Sequence, residues 1–172
     1  VRDMPYGKSS DRTGAVAEMT NLVESGEDDP VFQELLGWME IESGNAERAV
    51  EAYRNAVTIA PREATILAGY GRSLLALDTP DTDKEARTAL EAARARDRRN
   101  TRLLRNLAVA YARTGNNGMA SLSTAQMYQA MGQREDARLH ATRASDQLPV
   151  GSPGWSRSPD ILRATEPKSN RR

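Results

Sequence analysis

The chain has 172 residues, no cysteine, and 24 acidic against 24 basic side chains. That length suits one domain or one solenoid. The missing cysteines exclude a disulfide framework, a zero charge sum argues against a general nucleic-acid binder, and no apolar run approaches the length of a membrane span. The balance hides a polarity. Residues 1–60 carry 12 acids and 5 bases, net −7, while residues 61–172 carry 12 acids and 19 bases, net +7. Such a polarity reads as solvated helix faces. Of the bases, 21 are Arg, and only Lys8, Lys84 and Lys168 are Lys.

From the start, Val1 to Ser10 is polar and without periodicity. Asp11 to Ser25 is helical in pattern, with Val16, Met19, Leu22 and Val23 on one face. Asp29-Pro30 then opens a second helix as cap and first-turn proline. Leu36-Gly37 sit midway along it and Gly44 ends it. Ala49, Tyr53 and Ala56 follow at small, large, small spacing on the next helix, and Pro61 closes the unit. Gly37 and Ala49 are small where helix backbones must approach, and Tyr53 fills the space between one hairpin and the next.

This succession resembles the tetratricopeptide (TPR) repeat, whose period is about 34 residues. A second unit follows in register: Leu36 to Tyr70 and Gly37 to Gly71 are both 34 apart. Its inter-helix loop, Asp78 to Asp83, is expected to be three residues longer, so Ala49 to Ala86 and Tyr53 to Leu90 are both 37 apart. Ala93 keeps the second small slot, and Arg98 stands where the closing proline would be. A third unit starts at Asn100, with Leu104, Leu107, Ala108 and Tyr111 on slots and Gly115 ending its first helix.

Here the phase changes. Met119 to Met131 fits a second helix through Ala120 and a first helix through Thr124, Ala125 and Tyr128, with Gly132 ending it. Ala137, Ala141, Ala144 and Pro149 then take second-helix slots; Ala120 to Ala137 is 17, half a period. A half-period step is therefore expected at Asn116-Asn117-Gly118. A Gly151-Ser152-Pro153-Gly154 loop leads to Trp155, and Ser158-Pro159 is expected to cap a short helix, Asp160 to Ala164. Set in the repeat frame, Ala15, Met19 and Leu22 fall on second-helix slots and Tyr6 on a first-helix slot. Residues 1–28 thus read as a partial N-terminal repeat, 29–149 as the solenoid, 150–166 as a loop and short helix, and 167–172 as a disordered tail. Val1 in place of Met is expected of a fragment or processed product. No stretch alternates like a strand. The fold class is all-α: a TPR-like α-solenoid of eight or nine helices in antiparallel pairs, wound as a right-handed superhelix.

Residues for catalysis are sparse. The single histidine, His140, lies beside Ala141 at the edge of a packing face and reads as a structural or surface residue. No His-Glu-x-x-His or cysteine pair supplies a metal site. Gly115-Asn116-Asn117-Gly118 joins two helices and is turn chemistry rather than a phosphate loop. No nucleophile stands out from spacing, so this chain is not expected to be an enzyme and no cofactor is assigned to it.

A TPR solenoid offers a concave groove lined by first helices, at the positions packing leaves free. These are Val31, Glu34, Trp38, Ile41 and Glu42 in the complete unit, and Thr65, Ala68, Arg72, Leu75 and Ala76 in the second. They are Arg102, Arg105, Val109 and Arg113 in the third, and Met119, Leu122, Gln126 and Gln129 in the last. The candidate ligand groove is Trp38, Ile41, Arg72, Arg102, Arg105 and Arg113. Trp38 would anchor a partner's apolar side chain, or else pack on the chain's own tail or a neighbouring helix. The arginines would hold a partner's carboxylates bidentately, or else be solvated or paired internally. Gln33, Glu34 and Ala68 do not fit the carboxylate clamp of chaperone-binding TPR domains. A further reading has Trp155 fold back into the groove as a plug.

Two stretches are more specific. The run Tyr111-Ala112-Arg113-Thr114-Gly115-Asn116-Asn117-Gly118-Met119-Ala120 is one; Leu148 to Trp155 with Ser158-Pro159-Asp160-Ile161-Leu162 is the other. Both resemble the C-terminal TPR domain of bacterial periplasmic zinc metalloproteases of the BepA type. That resemblance implies a periplasmic parent whose zinc-binding catalytic domain precedes Val1. The TPR tail would cradle this protease domain and dock on the outer-membrane assembly machinery or on stalled outer-membrane proteins, in outer-membrane protein quality control. No zinc or catalytic residue carries over, because the motif is absent here. The alternative is a free-standing TPR assembly factor for pili, secretion or cytochrome c maturation. On either reading the partner is a protein or peptide in the groove, with no nucleic acid and no membrane span.

Overall fold

The computed structural model describes residues 9–24 and 29–166, with side chains in the first segment from Gly14 to Val23. Tyr6 and the tail 167–172 lie outside the described residues. Among those described there are nine α-helices and no strand. They are α1 (Ser9–Glu24), α2 (Pro30–Glu42), α3 (Ala46–Ile59), α4 (Ala64–Ala76), α5 (Pro80–Arg96), α6 (Thr101–Arg113), α7 (Asn117–Ala130), α8 (Arg134–Gln147) and α9 (Ser158–Ala164). A single 3-10 turn, Trp155–Arg157, precedes the last. Consecutive helices pack as antiparallel pairs and wind into a right-handed TPR-like solenoid. α2 touches α4 and α4 touches α6, so first helices lie side by side; at the other end α7 packs on both α6 and α8, and touches α9.

Local chemistry sets the helix ends. The Asp29 carboxylate accepts from the Val31 N–H at 2.8 Å, and Pro30 supplies the first helical position. Gly44, Gly115 and Gly132 take φ of +85°, +76° and +76°. Beyond each, the next N–H reaches back to close the turn: Asn45 to Glu40, Asn116 to Tyr111 and Gln133 to Tyr128, at 2.9, 2.8 and 2.9 Å. After α4 the left-handed residue is Asp78, at φ +54°, a conformation that short polar side chains tolerate.

Two sequence expectations are corrected here. The three extra residues between α4 and α5 do not lengthen a loop; they add a turn to α5. Thr79 caps that helix by accepting from the Thr82 N–H at 3.3 Å, Pro80 opens it, and Asp81 and Asp83 complement the positive end of its dipole. Ser158 does not cap α9. The chain enters that helix from the 3-10 turn with helical backbone already formed, and the Ser158 hydroxyl is buried without a partner.

The core has two centres. One joins α3 to α6 through Tyr53, Ile66, Tyr70, Leu74, Leu90, Leu103, Leu107 and Tyr111. The other joins α7, α8 and α9 through Leu122, Ala125, Leu148 and Ile161, with Met119 packed against both. Burying each such leucine contributes about 1.5–3 kcal/mol. On α8 the inward residues are Ala137, Ala141 and Ala144, all fully buried, so α8 lies close against α7. Tyr53 is wedged between hairpins: a Cβ on Gly37 would stand 2.6 Å from its ring, and one on Gly69 would overlap it. What Gly37 makes room for is therefore a ring, not a second backbone. Gly71 stands in the same relation to Leu90, where a Cβ would come within 2.5 Å.

Candidate peptide-binding groove

Three first helices, α2, α4 and α6, border a cavity of about 200 Å³. Each contributes a stripe at helical spacing: Glu34 and Trp38 from α2, Thr65, Ala68 and Arg72 from α4, Arg102 and Asn106 from α6. Tyr53 and Gly69 form its back wall. Because Gly69 has no side chain, the Tyr53 ring reaches this surface from α3. Burial pushes the Tyr53 hydroxyl up to about 12, with the charges of Glu34 and Glu42 adding to the effect and Arg72 opposing it. It is a neutral donor and acceptor at ordinary pH.

Trp38 is 48% exposed at the rim. Among the described residues no helix closes over it, and an aromatic of this size left half in water is the kind of group that anchors a partner side chain. Arg72 is held over the cavity by Glu42, Nη2 to Oε1 at 2.7 Å, which uses one of its five N–H donors and leaves the rest for a ligand. Arg102 makes no ion pair among the described residues and is exposed. So Trp38, Arg72 and Arg102 are brought together around one cavity.

The other three candidates are not. Ile41 is half-buried one turn along α2, and Arg105 is exposed on α6, but neither lines this cavity. Arg113 is committed elsewhere: its Nη1 donates to the Leu75 carbonyl at 2.8 Å and lies 3.2 Å from Asp83 and 3.0 Å from Asp78. It fastens α6 to the α4–α5 turn, which is the internal pairing weighed for it above. Leu75 and Leu122, expected on the groove, are buried in the core, and Met119 is partly buried. Gln126 and Gln129 face a different cleft, beside Arg98.

Asn106 was missed in the sequence. It lies one turn beyond Arg102, so the stripe on α6 runs 102–106 rather than 102–105–109. Trp155 packs against the α7–α9 core and does not line the groove. His140 stacks on Tyr128 with ring centroids 5.5 Å apart. Burial, then the nearby Arg143 charge, hold it below its ordinary value. No group of three His, Asp or Glu among the described residues is placed to hold a metal. No described helix is long and apolar enough to cross a membrane.

In fold the chain is similar to MamA, with a TM-score of 0.66 at 15% identity, over 91% of this chain and 87% of that one. It is similar to MamA 41-end from Desulfovibrio magneticus RS-1, with a TM-score of 0.64 at 16% identity, over 91% and 88%. It is also similar to a thermophilic TPR protein of Thermus thermophilus, TTC0263, with a TM-score of 0.56 at 18% identity, over 88% and 91%. At such identities these likenesses speak for the fold alone. No curated protein matches the chain. Residues 19–138, well over half of it, match the family model for the cytochrome c-type biogenesis protein H TPR domain. With its paired helices, its small-residue crossings and that match, the chain belongs to the cytochrome c-type biogenesis protein H TPR domain family.

Proposed function

We propose that the chain is a protein-docking module of cytochrome c-type biogenesis, taking a segment of a partner protein in the α2–α4–α6 groove. The observation that carries this reading is Trp38, half in water above a cavity that Arg72 and Arg102 also border. A partner segment would seat an apolar side chain against the Trp38 indole and a carboxylate on Arg102, with Arg72 kept in place by Glu42. The family match supports the assembly-factor reading over a metalloprotease tail, for which neither that match nor the fold neighbours gives any support. An exposed indole flanked by guanidinium and amide donors suits the recognition of a polypeptide segment.

The test is a titration with haem-free cytochrome c polypeptide, followed by Trp38 fluorescence in a Trp155→Phe background. Binding should shift the Trp38 emission. Trp38→Ala, followed with a labelled polypeptide, should weaken it about thirtyfold, as truncating an anchor worth ~2 kcal/mol does. Equal affinity of wild type and Trp38→Ala would remove the groove from the reading.

A further inference from the structure

Away from the groove, Arg94 in the last turn of α5 and Arg98 just beyond its end border the same cleft as Arg157, which the 3-10 turn delivers from far along the chain. Tyr111 of α6 and Met119 and Gln126 of α7 complete it, around a volume of about 460 Å³. Through Arg98 and Gln126 it adjoins a second cavity of about 480 Å³, bordered also by Arg99 and Gln129. Together they make a trough that shares no lining residue with the α2–α4–α6 cavity.

The trough carries more cations than anions, four arginines against the single carboxylate of Glu91. None of its four arginines makes an ion pair among the described residues. Its one lining carboxylate, Glu91, is shared between Arg87 outside the cleft, at 3.9 Å, and the Tyr111 hydroxyl inside it, so it offsets only part of the positive charge. Gathering like charges in one cleft opposes folding. Arg94 is also half-buried, and its guanidinium is pushed below its ordinary value by desolvation first and the neighbouring Arg157 second. Gln126 Oε1 is buried with no donor. A cleft that gathers cations and leaves an acceptor unpaired suits a ligand carrying both negative charge and N–H groups.

We propose that this trough binds an acidic peptide segment, its carboxylates taken by Arg94, Arg98 and Arg157 and a backbone N–H donated to Gln126 Oε1. A bare phosphate would leave the Gln126 acceptor unpaired and most of the length empty. Tyr111, Met119 and Ala95 give the chain of a peptide apolar surface to lie on. Residues 167–172 hold Lys168, Arg171 and Arg172 and no acidic side chain, so they do not supply the carboxylates.

Fluorescence anisotropy of a fluorescein-labelled decapeptide of alternating Glu and Ala, titrated with the full chain, tests this. The Arg94→Ala/Arg98→Ala double variant should weaken binding by about tenfold or more, the loss of charge-assisted contacts. Its melting temperature should be unchanged or raised, because the substitutions relieve repulsion. Arg157→Gln, outside the long helices, should weaken binding in the same direction. Gln126→Leu should weaken it less, and Trp38→Ala/Arg102→Ala should leave it unchanged, which separates the trough from the groove. The proposal is overturned if a Gln-for-Glu peptide binds equally, if the groove variant rather than the Arg94/Arg98 variant loses binding, or if phosphatidylglycerol vesicles displace the peptide. Self-association abolished by the same arginine variants would also overturn it, placing the acidic half of a second copy in the trough.

Discussion

Tyr53 rests directly on Gly69: a Cβ at that glycine would overlap the ring. The tyrosine belongs to one hairpin and the glycine to the next, so this contact fixes how the second pair docks on the first. Gly37 does the same within the first pair. Gly69→Ala and Gly37→Ala should each destabilise by about 1–3 kcal/mol, since a fully packed ring cannot retreat without moving a helix. Urea unfolding followed by circular dichroism measures this. Gly14→Ala is the control: its Cβ would meet nothing within 4 Å, so it should not destabilise at all.

Part of this was legible in the chain. Gly37, Ala49, Tyr53 and Ala56 follow a small and large alternation that marks packed helix faces, although the sequence did not show that Gly37 makes room for the Tyr53 ring. Gly69 was not legible, because it stands two residues before Gly71, which already fills the expected slot. The extra turn of α5 was hidden because Thr-Pro-Asp-Thr-Asp reads equally as loop or as helix start. Leu75 stands where the α4 stripe turns into the core, and Leu122 is enclosed because α8 and α9 both pack on α7, which the repeat spacing alone does not show. The Arg94, Arg98 and Arg157 trough depends on where the 149–157 turn sends the chain, which no local pattern encodes.

Arg113 makes a separate case, since its sequence position suggested a ligand contact and its geometry is structural. Asp83 is buried, and the Arg113 guanidinium is the cation beside it. Removing one partner of such a pair leaves a charge without compensation. Arg113 is itself about a third exposed, so water screens part of the loss. Arg113→Ala should therefore cost about 1–2 kcal/mol in urea unfolding, and Asp83→Ala a similar amount. A double variant that loses no more than either single one would show the two residues acting as a unit. Affinity for a groove ligand should not respond to Arg113→Ala at all.

Alkaline pH provides a second handle on the core. Burial raises the Tyr53 and Tyr111 hydroxyls from an ordinary value of 10 to about 12. A folded value above the unfolded one means the native state holds the proton longer. The contribution is complete below pH 10 and is lost as pH rises from 10 towards 12. Each tyrosine then removes on the order of 2–3 kcal/mol. Urea midpoints should be flat from pH 7 to 9 and fall steeply above 10. Tyr111→Phe should make that fall shallower. An unchanged slope in the phenylalanine variant would show that Tyr111 ionises as readily folded as unfolded.

The groove itself yields the sharpest separation of binding from stability. Trp38 is half exposed, and Arg102 has no ion-pair partner among the described residues, so neither holds the fold together. Arg72 is paired with Glu42, but both side chains are more than a third exposed or close to it, and such pairs contribute little, about 0–1 kcal/mol. Trp38→Ala, Arg102→Ala and Arg72→Ala should thus unfold within about 1 kcal/mol of wild type. For a ligand in the groove the order should be Trp38→Ala worst, because it removes the apolar anchor, then Arg102→Ala. Arg105→Ala, whose side chain lies off the cavity, should come last. Isothermal titration with one polypeptide across the four variants reads this order. If Arg105→Ala costs as much as Arg102→Ala, the ligand runs along α6 at the 102–105–109 spacing and Asn106 is not part of its path.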